Sequence, residues 1–480
     1  MGAIRNHFDI IVIGAGSAGL SISLFMNKAG FKVLLVDKSD HNIGGDCLND
    51  GCVPSKSLIH VAKIIHRTKE SEKFGLNIGG EIDLQKVLEY VHERQNIIRE
   101  HENAAYFEKQ GLNIVLGEAK FTGKNEIDVN GSRYTANKIV IATGSRPQKL
   151  EVPGVDQVRY YDNTSIFDLK DLPQRLLIVG AGPIGIEIGQ AFTRLGATVT
   201  ILSKSKSILQ NDDNAVTEIL QQRLKEEGIK LITKAEIERF IFSNEAILKS
   251  VDGSRNTIEF DAVFVAIGRA LNIESLNLES AGVEIKDGKI VTDHYLRTTN
   301  RNVFVCGDVA GNLKFSHAAE QQARILLNNF FSPFKKKLNN DYMSWVTFTD
   351  PEIATFGLSE KVIKQRGKKY RRIETDFSND DRAVTDNNQQ GKLILFISQG
   401  SFFHKEKILR GTMIAEGAGE LVQELILAMT AKISINKIFN KVYPYPVASR
   451  VNQKLVVEYK EERLTSTIKK LLRWAFKMFG

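Results

Sequence analysis

Two of the three cysteines, Cys47 and Cys52, stand five positions apart in GGDCLNDGCVPSK, residues 44–56. Three chemistries suit such a pair: metal ligation, inert packing as small apolar side chains, and reversible thiol–disulfide exchange. Cys306 is distant, in VFVCGDVA, so a four-cysteine zinc site is excluded, and no familiar cysteine–histidine ligand spacing surrounds the pair. No metal site is expected. Redox exchange and structural packing both stay open on the residues alone. Three cysteines build no secreted disulfide framework, and a close pair suits a reducing compartment and catalytic use.

The elements that must position this pair are announced by an internal repeat. DIIVIGAGSAGLSISLFMNKAGFKVLLVDKS, from Asp9, matches RLLIVGAGPIGIEIGQAFTRLGATVTILSKS, from Arg175. Each copy runs from an apolar strand through Gly-x-Gly-x-x-Gly into a helix and ends in a second apolar strand, the β-α-β dinucleotide unit. Gly14 and Gly180 suit the tight turn, Gly16 and Gly182 a close approach to pyrophosphate, and Gly19 and Gly185 close helix–strand packing. The helix N-terminus would face the phosphates. Asp37, 23 positions after Gly14, suits a ribose diol, whereas the same offset from Gly180 reaches Ser203, followed by Lys204, Ser205 and Lys206. A serine with two lysines welcomes a 2′-phosphate that a carboxylate would repel, so NADPH is expected over NADH; a solvated lysine pair on a turn is the alternative.

The 480 residues are enough for two to four domains of ordinary globular composition. The net charge of +8 is modest and the lysines are dispersed, so no nucleic-acid partner is expected. No run approaches about 18 apolar residues, so no membrane-spanning helix is expected. FDIIVIGAGSAGL has the apolarity of a signal core, but a glycine-rich turn follows it instead of a cleavage site. Gly2 starts a myristoylation-like MGAIRN that has Asn6 where Ser or Thr is wanted. A cytoplasmic protein is expected.

With both cradles and the cysteine pair in place, the chain resembles, nearly end to end, the flavoprotein disulfide reductases, which include dihydrolipoamide dehydrogenase, glutathione reductase and mercuric reductase. GGDCLNDGCVPSK resembles the family's redox-disulfide helix, IVIATGSRP (139–147) the strand leaving the FAD domain, and VAIGRALN (265–272) the exit from the nicotinamide domain. VFVCGDVA (303–310) resembles the second FAD fingerprint, and WVTFTDPEIATFGLSE (345–360) the start of the interface domain.

The resemblance implies an NAD(P)H-dependent oxidoreductase. FAD would lie in the first cradle, with Thr143, Gly144, Ser145 and Asp308 (at the ribityl chain) beside it; NADPH would lie in the second, with Gly268 at its exit. Hydride would pass to the flavin, and the reduced flavin would open a Cys47–Cys52 disulfide. Cys47 would attack substrate, Cys52 would lie against the flavin ring, and Lys56 and Glu187 would pair between the two cofactors. A helix N-terminus near Pro54 would lower a thiol pKa. Homodimerisation follows, because a C-terminal residue of the partner subunit would complete the site.

At that C-terminal stretch the pattern breaks. The dithiol enzymes carry His-Pro-Thr-x-x-Glu; here Tyr445, Pro446, Val447 and Arg450 occupy the matching positions. Tyrosine, with an ordinary pKa of about 10, is a poor base at neutral pH. This weakens a dihydrolipoyl dehydrogenase reading and favours a mercuric-reductase-like one, although no cysteine follows Tyr445. Interface packing is the alternative role for Tyr445. The electron acceptor is left as a metal ion, a small disulfide or a quinone. A redox-sensing flavoprotein at a membrane surface is the reading of another class.

The expected fold is α/β: two Rossmann-like dinucleotide-binding domains, for FAD (1–150 and 289–340) and NAD(P) (151–288), and a C-terminal α+β dimerisation domain (341–460). Residues 461–480 form a basic amphipathic tail. Within 464–480 the pattern fits either peripheral contact with a membrane, at its inner face, or docking on the protein's own surface. His317 reads as a capping or packing residue, and Cys306 as a small buried filler within a strand.

Overall fold

The computed structural model describes residues 6–311, 313–400 and 405–480; Gly2 lies outside the described residues. The chain forms two compact units, Met1–Lys206 with Gly228–Leu338, and Ser207–Glu227 with Asn339–Gly480.

The first unit opens with β1 (His7–Ile13), α1 (Ser17–Lys28) and β2 (Val33–Asp37), followed by α2 (Gly45–Asn49), α3 (Cys52–Glu70), α4 (Leu84–Arg99) and α5 (Ala104–Lys109). Then come β3 (Asn113–Leu116), β4 (Ala119–Gly123), β5 (Glu126–Val129) and β6 (Ser132–Ile141). With a later strand, β19 (Val303–Val305), these form a seven-stranded sheet in the order β3-β2-β1-β6-β5-β4, with β19 pairing to β6. The pairs around β1 are parallel, and β4-β5-β6 form an antiparallel edge. Ile11 and Ile13 face one core and Ile10 and Val12 the other. Burial on both faces explains why this strand reads as an unbroken apolar run. Each such side chain contributes about 1.5–3 kcal/mol.

After β7 (Ser145–Pro147) and β8 (Tyr160–Tyr161) the fold repeats with β9 (Arg175–Val179), α6 (Pro183–Arg194) and β10 (Thr198–Ser203). The chain then enters the second unit for α7 (Asn214–Glu226) and returns with β11 (Lys230–Thr233), a meander of β12 (Ala235–Phe242), β13 (Glu245–Ser250) and β14 (Arg255–Glu259), and β15 (Ala262–Val265). The second sheet is wholly parallel, in the order β11-β10-β9-β15-β8. β16 (Arg269–Leu271) returns antiparallel to β7. A small hairpin of β17 (Ile285–Lys286) and β18 (Lys289–Ile290) precedes β19 (Val303–Val305) and α8 (Ser316–Phe331). The structure corrects one detail here: β19 stops at Val305, so Cys306 follows the strand instead of lying in it. The expected burial of its thiol is observed.

The second unit carries an antiparallel sheet of β20 (Ser344–Thr347), β21 (Glu352–Gly357), β22 (Tyr370–Asp376), β23 (Lys392–Ser398) and β24 (Ile408–Ala415). Its order is β20-β21-β24-β23-β22. Helices α9 (Glu360–Gln365), α10 (Asp381–Thr385), α11 (Ala418–Leu421), α12 (Gln423–Thr430), α13 (Ile435–Phe439), α14 (Val451–Glu462) and α15 (Ser466–Phe479) complete it. Leu425, Met429, Leu455 and Tyr459 join Phe356, Leu395 and Met413 in one core, whereas α15 has no buried residue. Among the described residues no helix is long and apolar enough to cross a membrane.

Candidate functional site

The two cradles are built alike. Gly14 adopts φ +107° and Gly180 φ +120°, and an added Cβ would meet the carbonyl oxygens of Ala142 at 2.4 Å and Ala266 at 2.3 Å. At Gly19 and Gly185 a Cβ would stand 1.8 Å and 2.0 Å from the carbonyl oxygens of Gly14 and Gly180, so each helix can cross its own turn only on a bare Cα. A Cβ on Gly182 would meet nothing within 4 Å, leaving space at the head of α6; one on Gly16 would face Gly45 Cα at 3.6 Å.

Asp37 ends β2 and is pinned at the first cradle. Its Oδ2 accepts from the Ala15 N–H at 2.5 Å and its Oδ1 from the Lys38 N–H at 2.6 Å. Burial pushes its pKa up against these hydrogen bonds. Ser203 ends β10 at the matching place, buried, with its hydroxyl accepting from the Ser205 N–H at 3.2 Å. Lys204 is exposed and pairs with Glu236 at 2.8 Å, and Lys206 is exposed.

Cys47 lies in α2, half-buried, and Cys52, exposed, is the first residue of the 19-residue α3. Pro54 therefore sits in the first turn of α3, which begins at Cys52. The two thiols hydrogen-bond each other. Cys52 is pushed down to about 6, first by that hydrogen bond and then by the Lys56 ammonium and the Ser316 hydroxyl. The same hydrogen bond, together with burial, pushes Cys47 up. Ser316, the first residue of α8, holds its Oγ 3.8 Å from Cys52 Sγ. One turn into α3, Lys56 Nζ donates to Glu187 Oε2 at 2.9 Å. Glu187 is buried in α6 and Lys56 is half-buried, so α3 and α6 are joined by an ion pair.

Thr143, Gly144 and Ser145 leave β6 and meet the chain returning past Gly268. Thr143 Oγ1 donates to the Asn272 carbonyl at 2.7 Å, Asn272 Nδ2 donates to the Thr143 carbonyl at 2.9 Å, and the Asn272 N–H donates to the Gly144 carbonyl at 3.2 Å. Ser145 Oγ donates to Asp308 Oδ2 at 2.5 Å. Sequence reasoning did not single out the residue that gathers this region, Arg269. It donates to Ser145 Oγ at 2.7 Å and the Ser145 carbonyl at 2.9 Å, and pairs with Asp46 Oδ1 at 2.9 Å. Its own carbonyl accepts from Lys314 Nζ at 2.6 Å. Asn163 Nδ2 donates to Asp46 Oδ1 at 3.0 Å and the Asp50 carbonyl at 3.2 Å, bridging the first turn and the C-cap of α2. An arginine directly after Gly268, where the chain turns back to the first sheet, was the available signal; Ser316 and Asn163 had none.

Tyr445 lies in the second unit, exposed, with its hydroxyl donating to Asp381 Oδ2 at 3.3 Å and the Arg450 guanidinium 5.4 Å from its ring centre. His317 stacks on Phe315. Among the described residues no group of three or more His, Cys, Asp or Glu side chains gathers as a metal site.

Comparison with known proteins agrees with this architecture. Residues 8–323 match the pyridine nucleotide-disulphide oxidoreductase family, and residues 343–456 match its dimerisation domain. The chain belongs to that family. It is 32% identical over 442 residues to a mercuric reductase of Staphylococcus aureus, covering 91% of this chain and 80% of the relative. It is 31% identical over 457 residues to the dihydrolipoyl dehydrogenase of Mycoplasma pneumoniae, covering 93% and 97%. The Cu(II) complex of the HOCl-induced flavoprotein disulfide reductase RclA from Escherichia coli superposes with a TM-score of 0.81 at 25% identity, covering 94% of this chain and 99% of that one. The protein is thus an oxidoreductase of the flavoprotein disulfide reductase class, whose members depend on FAD and take electrons from NAD(P)H. The residues present fit those groups: the turn of each cradle closes only on bare Cα atoms, a Cβ on Gly182 would meet nothing within 4 Å, and Asp37 keeps a lone pair on each oxygen that a diol could use.

Proposed function

We propose that the protein is an NADPH-dependent reductase that passes two electrons through Cys47 and Cys52 to a small-molecule or metal-ion acceptor, working as a homodimer. The observation that carries this reading is the Lys56–Glu187 bridge, which ties the helix headed by Cys52 to the helix of the second cradle. When bound, FAD supplies a two-electron relay between nicotinamide and disulfide. Gly14, Gly16, Gly19, Asp37, Ser145 and Asp308 would hold it, while Gly180, Gly182, Gly185, Ser203 and Lys204 would hold NADPH. Lys56 and the heads of α3 and α8 keep Cys52 a thiolate, and Cys47 is the thiol that meets the acceptor. With a disulfide acceptor, NADPH and a proton give NADP⁺ and two thiols, and Cys47–Cys52 re-forms each cycle.

Tyr445, given across the dimer, serves as a hydrogen-bond donor at the acceptor site. Residues 464–480 make peripheral contact with a membrane, a reading supported by the lack of any buried residue in α15. The test is steady-state NADPH oxidation with disulfides, Hg(II), Cu(II) and quinones. One acceptor class is expected to turn over, and Cys47→Ser or Cys52→Ser to abolish it. Tenfold preference for NADH would overturn the NADPH assignment, and turnover insensitive to both cysteine variants would overturn the dithiol path.

A further inference from the structure

The matched dimerisation domain ends at residue 456, and α15 lies beyond it. The helix is capped by the Thr465 hydroxyl, which accepts from the Ile468 N–H at 3.3 Å. At about 100° per residue, Lys469, Lys470, Arg473 and Lys477 share one arc. Ile468, Leu471, Leu472, Phe476 and Phe479 take the opposite side, and Trp474 lies at the boundary. A helix on a folded domain normally turns such a stripe inward. Here the stripe faces out: Phe476 is 77% exposed and Phe479 83%.

Among the described residues no side chain of this face is buried. A second copy packed stripe to stripe would cover the apolar side chains but leave both cationic arcs without a counter-charge, since residues 463–480 contain no Asp or Glu. An anionic lipid surface satisfies both sides together, taking the apolar side chains among its acyl chains and the four cations at its headgroups. We infer that α15 binds anionic membrane interfaces, with Lys469, Lys470, Arg473 and Lys477 on lipid headgroup charges and Trp474 at headgroup depth. The inference rests on the membrane contact proposed above and names its lipid chemistry.

The test is cosedimentation of the full chain with phosphatidylcholine vesicles and with vesicles one-third phosphatidylglycerol, at low and high salt. Binding to the anionic vesicles is expected to be at least about tenfold tighter and to weaken with salt. Changing all four cations to Gln should remove that preference, and Leu472→Ser with Phe476→Ser should remove binding to both vesicles. Equal binding to both by the native chain overturns the anionic inference and leaves membrane contact standing; binding to neither overturns both. A chain ending at Arg463 is expected to keep its melting temperature and its sedimentation coefficient in lipid-free buffer. A lower melting temperature would return the helix to its own fold, and a smaller assembly would assign it to a second copy; either overturns the inference.

Discussion

The Arg269 guanidinium stands 2.9 Å from the Asp46 carboxylate, one residue before Cys47, while its Nε donates to Ser145 at 2.7 Å. One side chain thus ties α2, which carries Cys47, to β7 and, through Ser145, to Asp308. Arg269→Ala is expected to lower stability by about 2–3 kcal/mol, short of a fully buried pair because Asp46 is 39% exposed. Flavin should also be released more readily on dilution. Arg269→Lys keeps the charge but loses the fork and should fall between. Thermal melting with flavin fluorescence decides it, and an unchanged Arg269→Ala protein would show the network to be idle.

The depressed pKa of Cys52 predicts a pH signature. After two-electron reduction, the long-wavelength absorption that a thiolate gives against oxidised flavin should titrate near pH 6. Cys52→Ser should abolish the band, and Cys47→Ser should show it without reduction. Ser316→Ala should move the midpoint upward, since its hydroxyl favours the thiolate, and Ser316→Thr should restore it. A midpoint indifferent to Ser316 would remove the hydroxyl from this role.

Asp50, between the cysteines, is pushed up to about 7 by burial first and then by the charges of Asp46 and Asp162, with Arg269 opposing. Unfolded, it releases its proton near pH 4. Between those values the folded chain binds more protons than the unfolded one, so this group makes stability fall as pH rises. Asp50→Asn should flatten the decline in melting temperature across that window. Parallel curves for the two proteins would place the acid outside the linkage.

Dihydrolipoamide should be a poor substrate at pH 7 and improve toward alkaline pH, because no base of near-neutral pKa occupies position 445. A positioned base is usually worth about 10²–10⁴-fold. Tyr445→His should recover part of this, because Asp381 lies within reach of that side chain while Arg450 opposes an imidazolium. Adding Arg450→Glu should recover more. Rates at neutral pH for the native chain and both variants settle the point, and fast native turnover would return the protein to the lipoamide enzymes.

The backbone of the two cradles was legible because its geometry restricts the residue: a left-handed turn at Gly14 and a bare Cα at Gly19 leave no choice. Asp37 and Cys52 were legible for the same reason, being tied to strand and helix ends. Ser316 and Asn163 were not, since their importance comes from neighbours more than 100 positions away in the chain and no local spacing encodes them, and Arg269 offered only its place directly after Gly268. Asp381 beside Tyr445 was hidden likewise, 64 positions upstream.

The β7–β16 pairing brings together chain from either side of the second sheet, and β19 completes the first sheet only afterwards. Every strand of the second sheet lies between Tyr160 and Val265, whereas the first needs Val303–Val305 beside β6. Domains made on a ribosome ordinarily mature from the N-terminus onward. In this chain the order inverts: the inner nucleotide unit has all its strands while the outer one still presents an unpaired edge of β6, which only the later synthesis of β19 can close.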